Sequence, residues 1–253
     1  LFVILDIFIQ HFFLTDIFGN KIDSSHGRRL SGPFGDEKVA GTFIAKFFFI
    51  SLIFIYKKTY FKKIIFPLTI LTMTAVILTN ERSATIMLIS SVLIFIIFYK
   101  FKLVNKVLFL LSLIFLVTTI IYSNDNFKKH FIEIPLKVYG DNPHKAHFLT
   151  AYEIYKDNKI IGSGVKTFRE VCSNANYNSI NTKFSNYRCS THPHNIYLEI
   201  LSEAGIVGFG IFFLINTYFL YFFISQYLKK SKEIEILVLL FCFFFNLFWP
   251  LQT

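Results

Sequence analysis

The chain has 253 residues, 54% of them apolar and 34 of them Phe, with three cysteines and a formal net charge of +10. The apolar residues fall in runs of roughly membrane-spanning length with short polar links between them, which excludes a soluble globular domain. The lysines flank those runs, so the positive charge reads as a topology signal and as headgroup contact, not as a nucleic-acid surface.

The chain begins at Leu1 inside an apolar run and stops at Gln252-Thr253 just after another, so it reads as a piece of a longer protein. Seven spans are predicted, over residues 1–14, 38–56, 64–80, 83–99, 103–122, 200–228 and 234–249. Lipid offers backbone groups no partner, so these spans should be helices, giving an all-α polytopic transmembrane bundle. Three links between spans carry Lys57, Lys58, Lys62 and Lys63; Lys100, Lys102 and Lys106; and Lys229, Lys230 and Lys232. Short basic links stay in the cytoplasm. All three then fall on one side. The segment 15–37, the Asn80-Glu81-Arg82 turn and the large loop 123–199 face outward. The expectation is a single membrane domain, 1–253, with 123–199 as its extracytoplasmic loop.

All five arginines (Arg28, Arg29, Arg82, Arg169, Arg188) lie in the outward segments, whereas the inner links use only lysine. A guanidinium donates two parallel hydrogen bonds to a phosphate, which suits an anionic headgroup. Arg28, Arg29 and Arg82 are therefore candidate phosphate ligands, and Arg169 and Arg188 read as solvated loop residues. Lys46 falls near the middle of the second span, where a charge is costly and marks a functional candidate. It could instead pair with Asp6 or snorkel. Cys172 and Cys189 share the outer loop, where an oxidising compartment would allow a disulfide; two free thiols are the alternative. Cys242 lies in an apolar span and reads as packing. No Cys/His spacing resembles a zinc site.

Within the loop, residues 148–156 have helical periodicity, with Phe148, Ala151, Tyr152 and Tyr155 on one face, as in a helix lying on the membrane surface. Gly162-Ser163-Gly164 reads as a plain turn. In His192-Pro193-His194-Asn195, Pro193 disfavours helix at His192 and Asn195 is a suitable N-cap. His194 then sits at a helix N-terminus, where an anion is favoured and a neutral imidazole can accept a proton. His192 is a weaker second candidate. Glu199 and Glu203 share a helix face and could pair with an arginine or orient His194; a polar helix end facing water is the alternative. Ala204 and Gly208 permit close helix packing. Gly205 and Gly210 can bend a helix too long to cross straight.

Three blocks together resemble the O-antigen ligase and O-antigen polymerase superfamily. The first is Arg29-Leu30-Ser31-Gly32-Pro33-Phe34 with Asp36 and Ala40. The second is Glu81-Arg82-Ser83-Ala84. The third joins Ile161-Gly162-Ser163-Gly164-Val165-Lys166-Thr167-Phe168 to His194-Asn195-Ile196-Tyr197-Leu198 and Glu203-Ala204-Gly205-Ile206-Val207-Gly208. The resemblance implies a GT-C-like membrane glycosyltransferase in the bacterial inner membrane, its active face periplasmic. The donor would be an undecaprenyl-diphosphate-linked glycan, and no metal, nucleotide or other cofactor would be used. A ligase passes the glycan to lipid A-core in lipopolysaccharide biosynthesis; a polymerase, the alternative, passes it to another lipid-linked repeat. Membrane lipids are the other partners, and nucleic acid is not one. By resemblance His194 matches the family's catalytic histidine, Arg82 the arginine at a span start, and Arg29 the arginine of the earlier loop. Family members often carry an arginine ahead of the loop helix. Here that region reads Asn142-Pro143-His144-Lys145-Ala146-His147, which moves the role to Lys145 or His147. A transporter or flippase of lipid-linked sugars is the rival from another class; it should show charge along a central cavity and inverted repeats, and neither is seen.

Overall fold

A computed structural model describes residues 1–22, 29–58, 60–134, 142–178 and 180–250. Among them every regular element is helical, apart from one isolated bridge between Thr15 and Lys21. The helices are α1 (Phe2–Phe13), α2 (Ala40–Ile55), α3 (Phe61–Leu78), α4 (Arg82–Phe98), α5 (Leu103–Ser123) and the short α6 (Asp125–Lys128), which runs into a π-helical turn (Lys129–Glu133). Then come α7 (Pro143–Asp157), α8 (Phe168–Val171), α9 (Ile196–Leu228) and α10 (Ile234–Leu247). The all-α expectation holds. By length and composition α5 and α9 can each cross a bilayer, while α1, α2, Lys63–Leu78 of α3, α4 and α10 are apolar but shorter. The chain divides into two compact units, residues 1–134 with 226–248 and residues 135–225 with 249–252.

In the first unit α10 packs on α2 and α4, and α3 lies between α2 and α5. Gly41, Ala45, Ala75 and Ala84 are buried there. Small residues let helix backbones approach closely, which is how helices associate in lipid. One buried polar tie crosses the contact between α10 and α2: Asn246 Nδ2 donates to the Ala45 carbonyl at 2.7 Å. The lysine-bearing links gather at one end of this unit. The Phe61 ring lies 6.0 Å from Tyr56 and 6.4 Å from Tyr99, and the Tyr99 hydroxyl donates to Glu235 at 3.4 Å. Helix α3 runs from that end to the Asn80 turn and α4 returns, so Arg82 stands at the opposite end.

The second unit is built on α7. Asn142 Oδ1 accepts from the Lys145 N–H at 3.0 Å and Pro143 takes the first helical position, so the helix starts earlier than the predicted 148. Its buried face is Ala146, His147, Thr150, Ala151 and Ile154, with Tyr152 exposed. Of the predicted surface face, Ala151 points into this core, whereas Phe148 and Tyr155 are half-buried and Tyr152 is exposed. The small residues turn inward because Phe168, Cys172 and Tyr177 pack onto Ala151 and Ile154. A disulfide joins Cys172 to Cys189, with Cα atoms 5.3 Å apart. Arg188 Nε donates to the Cys172 carbonyl at 3.0 Å, so Arg188 braces the loop and is not simply solvated.

Helix α9 is broken at Gly205, whose φ of 63° and ψ of −166° interrupt the helical ladder. The segment 159–164 fills the gap. Ser163 N–H donates to the Ser202 carbonyl and Gly164 N–H to that of Glu203, both at 2.9 Å; Ile206 N–H donates to Lys159 at 2.8 Å and Val207 N–H to Ile160 at 3.2 Å. Four backbone groups beside the break, the Ser202 and Glu203 carbonyls and the Ile206 and Val207 N–H groups, find partners in this way. A Cβ on Gly205 would collide with the Ile160 carbonyl, and one on Gly162 with the Glu203 backbone. The Gly162-Ser163-Gly164 turn is therefore a plug in a helix.

Candidate functional site

In the first unit, the Asn80-Glu81-Arg82 turn positions a cationic group. Glu81 is buried, and its carboxylate caps the N-terminus of α2: Oε1 accepts from Gly41 N–H at 2.7 Å, and Oε2 from Thr42 N–H at 3.1 Å and the Thr42 hydroxyl at 2.9 Å. The free N–H groups and dipole of a helix start favour such an anion. Burial nonetheless raises the carboxyl above the usual range, against the pull of those hydrogen bonds and of Arg29. Arg82, the next residue, opens α4 half-buried. Arg29 lies near enough for the two guanidiniums to repel each other, and its Nε is buried without a hydrogen-bond partner.

His130, in the π-helical turn after α5, completes the group. Burial first, then the charges of Arg82 and Arg29, hold its imidazole down at about 4, against a hydrogen bond to the Asn80 backbone. It is neutral at physiological pH, and its Nε2 is buried without a hydrogen-bond partner. Nothing along the chain points to His130: it sits among lysines, in a turn with no periodicity to place it. Beside it is a cavity of about 30 Å³, lined in part by His11, Asn80, Asn124 and Asn126, room for one water. Two guanidiniums thus stand beside a neutral imidazole at this end of the unit.

In the second unit, the structure surrounds His194 with histidines. Its ring lies 5.1 Å from His144, 5.1 Å from His147 and 4.3 Å from His192. His144 and His147 come from the first turn of α7, the segment to which the resemblance moves the missing arginine's role. Asn195 caps α9 as expected, its Oδ1 accepting from Tyr197 N–H at 3.0 Å and Leu198 N–H at 3.1 Å. That cap, after Pro193, leaves His194 in the left-handed region at φ 57°. His194 Nε2 meets the Ser190 hydroxyl at 3.2 Å, and His192 Nδ1 meets that of Thr191 at 3.0 Å. Burial first, then His194 and His144, lowers His147 to about 4, so this ring is neutral at physiological pH.

The other candidates are placed differently. Glu203 holds the loop, its carboxylate accepting from Lys166 N–H at 2.6 Å and Phe168 N–H at 3.1 Å. Glu199 is half-buried in the first turn of α9. Lys46 is partly buried in α2. Asp6, its suggested partner, accepts from Ile17 N–H at 2.7 Å through Oδ1, and its Oδ2 has no hydrogen-bond partner. Arg28 lies outside the described residues.

Comparison with curated proteins and with solved structures gave no match. The family model described as O-antigen ligase matches residues 67–213, more than half of the chain. That stretch runs from α3 into α9 and holds Arg82, His130 and the whole histidine cluster, so the chain belongs to the O-antigen ligase family of membrane glycosyltransferase-like enzymes.

Proposed function

We propose that the protein is an O-antigen ligase, moving a glycan from undecaprenyl diphosphate to the sugar of lipid A-core at the periplasmic face of the bacterial inner membrane. The observation that carries this reading is the convergence of Arg29, Arg82 and His130 at the end of the first unit away from the lysine links. The Cys172–Cys189 disulfide supports an oxidising compartment for the loop. The seven apolar helices act as spans of a GT-C-like fold.

Arg29 and Arg82 bind the diphosphate and offset the charge that grows on it as the sugar–phosphate bond breaks, so this step uses no metal. The acceptor hydroxyl attacks the anomeric carbon from the far side, inverting it. By the resemblance, the base that takes its proton is His194. Arg28, Lys46, His192, Glu199 and Glu203 are left with secondary parts in binding or positioning.

The test is complementation of a gene deletion with wild type and with Arg82→Ala, followed by a profile of surface and carrier-linked glycan. The variant should leave long unattached chains on the lipid carrier. Single capped repeats would make the protein a polymerase, and retention of carrier-linked glycan on the cytoplasmic side would make it a transporter. Wild-type surface glycan from the variant would remove the arginines from the mechanism.

A further inference from the structure

Spacing along the chain shows no zinc-like pattern, yet the fold gathers three histidines whose ligating nitrogens all lie within 4.8 Å of one another. We propose that His144, His147 and His194 form a binding site for a first-row divalent transition cation, with Zn2+ as the representative ion. In a tetrahedral site with Zn–N bonds of roughly 2.0–2.1 Å the nitrogens stand about 3.3 Å apart, a gap that side-chain rotation closes from the observed arrangement.

The backbone is already set. His144 and His147 are three residues apart on α7, so they share a face, and the Asn142 cap with Pro143 fixes that first turn. His194 is held by the Asn195 cap that starts α9. The arm bearing His194 is tied back to the core of the unit by the Cys172–Cys189 disulfide and by Arg188.

His147 carries the argument furthest. Its Nδ1 is buried with no hydrogen-bond partner, and a hydrogen bond to the Tyr187 backbone occupies the other nitrogen. A buried unpartnered ring nitrogen costs free energy unless something fills it. A metal-ligating histidine characteristically donates its second N–H to a carbonyl or carboxylate, which fixes the ring and directs the lone pair at the ion. The set contains imidazoles and no carboxylate, which favours Zn2+, Cu2+ or Ni2+ over Mg2+ or Ca2+. Three protein ligands leave a fourth position for water or an anion oxygen, and the His192 ring lies 4.3 Å from that of His194. An ion bound here takes up the His194 ring. Inhibition of glycan transfer by the cation is therefore a consequence that rests on the role proposed for His194; the binding itself does not.

The full chain, purified in detergent without a polyhistidine tag and stripped with chelator, is titrated with Zn2+ by calorimetry and with Co2+ by visible absorption. The expected result is one equivalent of Zn2+ and intense Co2+ bands of four-coordinate geometry. His144 is exposed, so His144→Ala keeps the fold, which a metal-free thermal melt checks. Losing this direct ligand should weaken binding beyond the roughly 10–100-fold that loss of an outer partner costs. His147→Ala should abolish the Co2+ bands. No stoichiometric binding by wild type, or unchanged affinity in both variants, overturns the site and leaves the arginine-based transfer standing. Active Arg82→Ala protein would overturn the transfer and leave the cation site standing.

Discussion

In the first unit two guanidiniums are held near each other although they repel; in the second, four imidazoles are held together because an imidazole can shed its charge. A guanidinium cannot deprotonate in a protein, so Arg29 and Arg82 stay charged and the repulsion between them is relieved only by an anion. In the second unit His147 is held neutral by burial and by the neighbouring imidazoles. The proposed division of labour follows this difference, with anion binding given to the arginines and proton acceptance or cation binding to the histidines.

The largest expected effect comes from breaking the first cluster. Arg82→Ala should lower glycan transfer by about 10²–10³-fold, the usual cost of removing one preorganised donor. Arg82→Lys keeps the charge but loses the fork, so partial activity in a transfer assay separates charge from bidentate geometry, and full activity shows the fork is dispensable. Next comes the scaffold of the second cluster. Replacing Cys172 and Cys189 together by Ser should cost the loop about 3 kcal/mol in the chain-entropy account of a loop of this length. Denaturant titration checks it, and reductant should shift wild type but not the double variant.

A smaller loss is expected from Glu81→Gln, which removes one of the carboxylate oxygens serving Gly41 and Thr42. A buried donor left unsatisfied costs roughly 1–3 kcal/mol, read as a lower melting temperature. A last test is the response of the first cluster to acid. His130 sits at about 4 in the folded protein against 6.5 when free. Between those values the unfolded chain binds more protons, so this contribution to stability is complete above about pH 6.5 and is lost as pH falls toward 4. His130→Gln should flatten that part of the stability–pH curve in chelator-treated protein; an unchanged curve would remove His130 from the electrostatic picture.

Local chemistry was legible in the sequence. Asn195 announces a helix start because a short polar side chain after a proline can only serve the first turn, and the apolar runs announce helices because lipid permits nothing else. What the chain order conceals is long-range. His144 and His147 lie far from His194 in sequence, so only the fold makes them neighbours. Glu81 gives no sign along the chain of the distant helix it caps. Glu203 could have paired with an arginine or oriented His194, but its carboxylate binds loop backbone. The inward face of α7 was not legible because Ala146 and Ala151, which allow tight packing, carry little hydrophobic signal of their own.

The interruption at Gly205 has a mechanical consequence. Both half-helices are stitched to the strap 159–164, the upstream one through the Ser202 and Glu203 carbonyls and the downstream one through the Ile206 and Val207 N–H groups. The glycine is therefore clamped from both sides, and the bend is a fixed elbow rather than a free hinge.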